Sequence, residues 1–328
     1  MPSHRVCRAI TVCLMGGISW RDAWQQALYG PRGFYRAAGG PGRHFTTATH
    51  GVLGRALARA LVQLAGDRGL THIVDIGAGR GELLSHLAAA DQGLRLTGVD
   101  VVQPPEGLPP GVVWAVSPGG PALPDSLDRL HDALVVAHEW LDVVPCDIAE
   151  VDDDGVLRHR LVDPATGVEA WGDPVVGSAL GWAERHWPAS LPGHRVEIGE
   201  SRDEAWAGLL ARIASGVAIA VDYGHRGGER PVEGTLTAYR SGNLADPVPD
   251  GSCDLTAHVA MDTLDHDDLI DQRTALRGLG LDSTTPPMSL AAREPQAYLR
   301  ALEESSAAGA LMARGGFGDF LWSIKHVG

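Results

Sequence analysis

Short continuous apolar runs alternate along this chain with longer stripes at helical spacing, and Thr71 to Leu84 (THIVDIGAGRGELL) shows the pattern most clearly. Ile73 and Val74 belong to a buried strand that stops at Asp75. Gly77, Gly79 and Gly81 then turn the backbone, and Glu82 to Ala90 predicts a helix. Ahead of this unit, His50 to Ala65 carries Leu53, Leu57, Leu61 and Leu64 on one stripe, an amphipathic helix suited to covering a sheet face. Leu94 to Val99, Val112 to Val116, Asp132 to Val136 and Val217 to Val221 read as further strands. Asp132 to Val136 has no polar alternation, as expected of a strand buried on both faces. An open α/β sheet is the expected core.

The rest of the chain attaches to that core. Residues 146–216 are long for a connection within such a sheet. They contain a hairpin (Ile148 to Val151 and Val156 to Leu161 around DDDG), a helical stretch from Ala179 to Trp187, and a helix from Ser201 to Ile213. Ser201 with Glu204 makes the capping-box pattern for that helix. The segment reads as an insertion that shapes an acceptor pocket. Thr235 to Tyr239 and Leu255 to Val259 bracket a Gly/Pro/Asp loop, Asp267 to Gly278 and Glu294 to Glu304 read as helices, and Phe317 to His326 supplies a last strand. Residues 1–19, with Arg5 and Arg8 before the apolar Ala9 to Met15, lack a small-x-small cleavage site. They read as a loose extension rather than an export signal, with Met15 an alternative start. Residues 20–49 begin with a short helix (Asp22 to Leu28) and continue as a Gly/Pro-punctuated strap with Tyr29, Phe34, Tyr35 and Phe45. It is either a packed loop or a lid over the cleft.

Composition narrows the partners. The chain has 328 residues, 44% of them apolar, and 27 basic against 41 acidic residues give a net charge of −14. No Lys/Arg run stands out, so neither nucleic acid nor a membrane is an expected partner. An acidic surface suits a basic substrate, such as an arginine-bearing protein segment. Cys7, Cys13, Cys146 and Cys253 show no C-x-x-C spacing and the 14 histidines form no ligand pattern, which points to reduced thiols, a cytoplasmic setting and no metal.

The glycine loop is the first candidate for chemistry. Its glycines fall as G-x-G-x-G, not the G-x-G-x-x-G of a dinucleotide fingerprint, with Asp75 two residues before the first. That favours S-adenosylmethionine over NAD. A nucleoside with a free amino-acid tail needs amide donors for its carboxylate, an acid for its ammonium group and a second acid for its ribose. Asp75 suits the loop end, and Asp100 ends the next strand close to the roughly 20-residue spacing of a ribose acid. The helix starting at Glu82 would turn its free amides to the same ligand. The second candidate follows the run DALVV. His138, Glu139 and Asp142 lie beyond a strand's carboxyl end, where open α/β sheets bind ligands. In a helical turn, Glu139 and Asp142 would share a face and suit the planar fork of a guanidinium.

Six motifs in order, ALYGPRGFY…HFTT, VDIGAGRGELL, HEWLDVVP, VDYG, GTLTAYR and DLTAHV, resemble the MidA family from about Trp20 onward. Its mitochondrial member is a complex I assembly factor and protein arginine methyltransferase. The resemblance implies a class I methyltransferase Rossmann-like fold, with a mostly parallel seven-stranded sheet, helices on both faces, an N-terminal strap and an inserted substrate-shaping region. It implies S-adenosyl-L-methionine at Asp75, Gly77, Ala78, Gly79, Gly81 and Asp100, with Phe45, Thr46 and Thr47 of the strap lining the pocket. Glu139, Asp142 and His138 would face the acceptor. The chain departs from the family pattern at His138, where asparagine is usual, in WLDVVP, and at Arg43-His44-Phe45 and Thr47-Ala48-Thr49 of the strap. A methyltransferase for a small molecule or another side chain, and a non-catalytic assembly protein that keeps the pocket, are the alternatives.

Overall fold

A computed structural model describes residues 17–37 and 48–328. The expected extension up to Gly16 and the strap residues 38–47, with Phe45, Thr46 and Thr47, lie outside the described residues. Seven strands form the central layer: β1 (His72–Ile76), β2 (Arg95–Asp100), β3 (Val113–Val116), β4 (Ala133–His138), β5 (Gly216–Asp222), β6 (Asp268–Asp271) and β7 (Leu321–Val327). Their order is β3-β2-β1-β4-β5-β7-β6. All pairings among β1 to β5 are parallel, whereas β7 runs antiparallel to both β5 and β6. The sheet is mostly parallel, as expected, but mixed, with an antiparallel pair closing one end.

Among the described residues eight α-helices accompany it: α1 (Trp20–Tyr29), α2 (Gly51–Asp67), α3 (Glu82–Ala90), α4 (Gly177–His186), α5 (Glu200–Leu210), α6 (Gln272–Gly278), α7 (Met288–Arg293) and α8 (Pro295–Leu311). Successive strand residues point to opposite faces. Ile73, Leu134, Val136 and Ile219 therefore pack against Leu57 and Leu61 of α2, Leu84 and Leu87 of α3 and Leu311 of α8. Val74, Ile76, Val135 and Ala218 pack against Trp206 and Leu209 of α5 on the other face. Burial on both sides explains why these runs lack polar alternation.

A second, five-stranded sheet comes from Ile18–Ser19 and the inserted strands Asp147–Val151, Leu157–Val162, Glu169–Pro174 and Arg195–Ile198. The expected hairpin is present, its turn closed by Asp152, whose carboxylate accepts from the amides of Asp154 and Val156. Helix α1 buries Trp20, Trp24 and Leu28 against this sheet and against Ala238 and Leu255. Trp20 Nε1 also donates to Glu169 Oε1 at 2.6 Å, and Arg195 grips the same carboxylate with two hydrogen bonds.

Two local expectations fail. Helix α5 starts at Glu200 with Gly199 as its N-cap, so Ser201 caps nothing; its hydroxyl donates to Pro145 O at 2.7 Å instead. A buried carbonyl from a distant loop competes successfully for the hydroxyl that local sequence would give to the helix. Asp267 to Gly278 is not one helix. Asp268–Asp271 joins the sheet as β6, and Asp271 then caps α6 by accepting from Thr274 N at 2.7 Å. Among the described residues, no helix is long and apolar enough to cross a membrane.

Candidate functional site

The order of the strands reverses direction between β1 and β4, since β2 and β3 follow on one side and β5 on the other. Such a switch point leaves a crevice beyond the carboxyl ends of its two strands. A cleft of about 750 Å³ opens there, lined by the glycine loop after β1, Asp100 at the end of β2 and the turn after β4. That volume falls in the roughly 300–1,000 Å³ range of small-molecule sites.

Gly77, Gly79 and Gly81 all have left-handed backbones, with φ of 74°, 58° and 77°. A Cβ at Gly81 would stand 2.3 Å from Leu108 Cδ2. The loop's own amides are not offered to a ligand, contrary to the simplest reading of the motif. Gly77 N and Ala78 N donate to Val99 O, and Gly81 N to Ala78 O. Gly79 N donates to Asp100 Oδ2 at 2.8 Å, and Arg80 N to Glu82 Oε2 at 2.9 Å. Intrahelical bonding in α3 starts with Ser85 N, which donates to Gly81 O, so the amides of Glu82 to Leu84 are the donors at this helix start. Asp100 fastens the loop from the next strand, one oxygen accepting from Gly79 N and the other from Val102 N. Burial raises the Asp100 carboxyl to about 6, against the pull of those amides. Asp75 is 3% exposed, and burial, then the charges of Asp100 and Glu82, hold it well above the usual carboxylate range.

The turn after β4 is not the helical turn that would put Glu139 and Asp142 on one face. Glu139 has φ of 52°, and its amide continues the sheet by donating to Val221 O at 2.9 Å. The chain then bends around Asp222, at the end of β5, whose Oδ2 accepts from Leu141 N and Asp142 N. Arg202, 2% exposed, fastens the turn from behind: its guanidinium donates to the carbonyls of Val144, His258 and Asp142 at 3.0, 2.8 and 2.9 Å. The result still brings His138, Glu139 and Asp142 together on the cleft wall.

Their oxygens are unequally occupied. Asp142 Oδ2 accepts from the hydroxyls of Tyr223 and Thr256, the latter at 2.7 Å, while Asp142 Oδ1 is buried without a hydrogen-bond partner. Glu139 Oε1 is also buried and makes no aligned hydrogen bond, lying 3.3 Å from His138 Nδ1. Burial and the Glu139 charge raise the Asp142 carboxyl, opposed by the two hydroxyls; burial and the charges of Asp142 and Glu139 raise Asp222 further. Asp254, bonded to Tyr35 Oη at 2.7 Å, is pushed up to about 8, chiefly by burial. Among the described residues lining the cleft, Arg80 is the only lysine or arginine, against seven acids.

Tyr29, Tyr35 and Ala37, in the described part of residues 20–49, border this cleft. Tyr29 and Tyr35, ring centroids 5.6 Å apart, line it. Tyr29 Oη donates to Val143 O at 3.1 Å, and Arg36 reaches Pro118 O at 3.0 Å on the opposite rim. Sequence reasoning missed Arg202 and the Tyr35–Asp254 pair. The first sits in a charged run, SRDE, that reads as a solvated helix face, and the second joins residues 219 apart. Cys146 and Cys253 are buried free thiols, and no group of side chains among the described residues is arranged to hold a metal.

The model of a family described as "Putative S-adenosyl-L-methionine-dependent methyltransferase" matches residues 112–278, a span that takes in the turn after β4, the inserted sheet and Asp222-Tyr223. Two solved structures from Burkholderia thailandensis share the fold. One, a superfamily member bound to S-adenosyl-homocysteine, is 22% identical with a TM-score of 0.73, over 94% of this chain and 87% of that one. The other, a native crystal form of an uncharacterised superfamily protein, is 23% identical with a TM-score of 0.73, over 95% and 87%. No curated protein matches the chain in sequence.

Proposed function

The chain belongs to that family of S-adenosyl-L-methionine-dependent methyltransferases, and from this premise we propose that it methylates a nitrogen of a protein side chain, the guanidinium of arginine. One observation carries the reading. Two buried carboxylate oxygens, Glu139 Oε1 and Asp142 Oδ1, stand without hydrogen-bond partners in a cleft otherwise dominated by acids. Buried polar atoms are rarely left unpaired unless something else pairs with them, and a guanidinium offers five N–H donors in a planar fork.

S-adenosylmethionine supplies an electrophilic methyl group on a sulfonium. The glycine loop fits such a donor: left-handed glycines bring bare backbone to the cleft, and Asp100 lines it beside them. On this reading Asp75, Gly77, Ala78, Gly79, Gly81 and Asp100 hold the donor, Asp100 accepting from the ribose hydroxyls and Asp75 answering the amino-acid end. Phe45, Thr46 and Thr47 are assigned to the same pocket by the resemblance to the MidA family. The S-adenosyl-homocysteine held by the Burkholderia protein of the same fold supports the choice of donor.

Glu139 and Asp142 accept the guanidinium N–H groups, orient one nitrogen and localise the charge. A guanidinium keeps its proton, with a pKa above about 12, until attack is under way. As the new C–N bond forms and the methyl–sulfur bond breaks, that proton goes to Glu139, with His138 Nδ1, 3.3 Å behind it, placed to share it. Tyr223 and Thr256 keep Asp142 in place through Oδ2 and so leave Oδ1 free. The acceptor is a protein with an exposed arginine.

Glu139→Gln tests the assignment. Turnover with labelled methyl donor should fall about 10²–10⁴-fold, while donor affinity by calorimetry stays at the wild-type value. Unchanged incorporation of label into protein would remove Glu139 from the reaction.

A further inference from the structure

Beyond Tyr223 lies a second cleft, of about 510 Å³, which shares Tyr223, Tyr239 and Thr256 with the first. Its floor is a small antiparallel sheet in which Thr237–Arg240 pairs with Asp254–Thr256, Thr237 opposite Thr256 and Tyr239 opposite Asp254. Strand neighbours face opposite ways. Ala238, Leu255 and Ala257 accordingly enter the apolar core against α1. Thr237, Tyr239, Asp254, Thr256 and His258 share the other face, and that face is continuous from one cleft to the other. Thr237 and His258 border the second, Tyr239 and Thr256 border both, and Asp254 borders the first.

We propose that the methyl acceptor enters through this second cleft. An extended, arginine-bearing protein segment lies along the polar strand face and passes its side chain between Tyr223 and Tyr239 to Glu139 and Asp142. The inference rests on the function proposed above and deepens it by giving the acceptor an entrance separate from the donor's.

Three features favour a peptide. Displacement at a methyl carbon needs the nucleophile opposite the leaving group, so donor and acceptor must reach the turn after β4 from different sides. The glycine loop occupies one side and the second cleft opens on another. The hydroxyl of Thr237 on the floor offers a hydrogen bond to a peptide backbone whatever its sequence, whereas those of Thr235 and Thr256 are engaged by Glu197 and Asp142. The carboxylates of Glu139 and Asp142 line the first cleft and not the second, with Tyr223 and Thr256 shared between the two, so a side chain entering from the second cleft must pass these residues to meet them. Arg80, the one arginine lining either cleft among the described residues, stands on the donor side.

Gly316 lines the second cleft alone, and a Cβ there meets nothing nearer than Ala313 O at 3.9 Å. Gly316→Phe therefore adds bulk to the entrance without touching the first cleft, and Thr237→Trp does so from the floor. The full chain, saturated with S-adenosyl-homocysteine, would be irradiated with an arginine hexapeptide carrying a benzophenone beside the arginine, and the crosslinks mapped by mass spectrometry. Crosslinks are expected at 235–239, 256–258 and 315–320. They should fall about tenfold in either variant, with S-adenosyl-homocysteine affinity within about twofold of wild type. Crosslinks at the rim formed by 103–106 and 119–123, insensitive to both variants, would overturn the entrance and leave arginine methylation standing. A chain that binds S-adenosyl-homocysteine but captures no peptide would overturn both.

Discussion

Replacing Arg202 by methionine measures what holds the acceptor end of the cleft. Arg202 leaves α5 fully buried, passes 5.6 Å from the ring centroid of Trp24 and spends its guanidinium on three main-chain carbonyls, those of Val144, His258 and Asp142. Methionine keeps the apolar stem and removes every donor. A buried carbonyl left without its partner costs about 1–3 kcal/mol. Asp142 O keeps a hydrogen bond from Ala257 N, so the carbonyls of Val144 and His258 set the upper range, and the desolvation cost that disappears with the charge offsets part of it. The expected net loss is roughly 2–4 kcal/mol. Against a total stability on the order of 5–15 kcal/mol, that is a large fraction. A second effect is electrostatic. The Arg202 charge lowers the carboxyls of Asp142 and Asp222, which burial has already raised. Its loss moves both up further, so the acid limb of the methyl-transfer profile shifts to higher pH. Urea unfolding followed by circular dichroism reads the first effect and turnover against pH the second. A loss below about 1 kcal/mol with an unmoved acid limb would refute the account and leave the turn to Asp222 and to the bond from Ala257 N.

Two further outcomes follow from the geometry. Gly79→Val places a β-branched residue at φ 58°, an outlier conformation for that side chain, and puts bulk where the donor must approach. Donor affinity by calorimetry should fall at least about tenfold with the circular dichroism spectrum retained, and wild-type affinity in a folded variant would take the loop out of the donor site. Asp254 has its carboxyl pushed up from the usual range near 3.8 to about 8. The stability this contributes is fully present below its unfolded value, near 4, and is lost as pH rises through about 8, by up to about 1.4 kcal/mol per pH unit. Asp254→Asn cannot titrate, so the wild-type chain should lose stability relative to it across that window. Parallel stability curves would mean that Asp254 is ionised at neutral pH.

Which parts of this architecture can be read from the chain depends on how far apart their causes lie. β1, the glycine loop and α3 form from adjacent residues, and Glu82–Ala90 has the bounds its local pattern predicts. Helix α2 and strands β4 and β5 are legible for the same reason: the helix carries an apolar stripe of its own, and the strands are continuous apolar runs buried on both faces. Their carboxyl ends point to the cleft once the sheet is parallel, so a strand followed by His138-Glu139 announces a site without any knowledge of what it meets. The failures share the opposite property. Ser201 looked like a cap because its nearest competitor, Pro145 O, is 56 residues away. β6 looked helical because it is a short edge strand whose partner, β7, lies near the end of the chain.

The same distinction separates the groups placed to touch ligands from the groups that position them. Glu139 and Asp142 lie close in sequence and face the cleft by local geometry. What leaves one Asp142 oxygen free is remote: Tyr223 and Thr256, 81 and 114 residues on, engage the other oxygen, and Arg202, 60 residues on, holds the Asp142 carbonyl. None of the three has a local signature of that task, since a tyrosine after a strand, a threonine in a strand and an arginine in a charged helix start each have commoner explanations. Without them the turn after β4, left-handed at Glu139, keeps its main-chain bonds to Asp222, Val221 and Ala257 but loses every hydrogen bond to the Asp142 side chain. A chain that kept the glycine loop and the Glu139–Asp142 pair but lost Tyr223, Thr256 or Arg202 would still read as the same site. Its Asp142 would then be free to turn away from the acceptor.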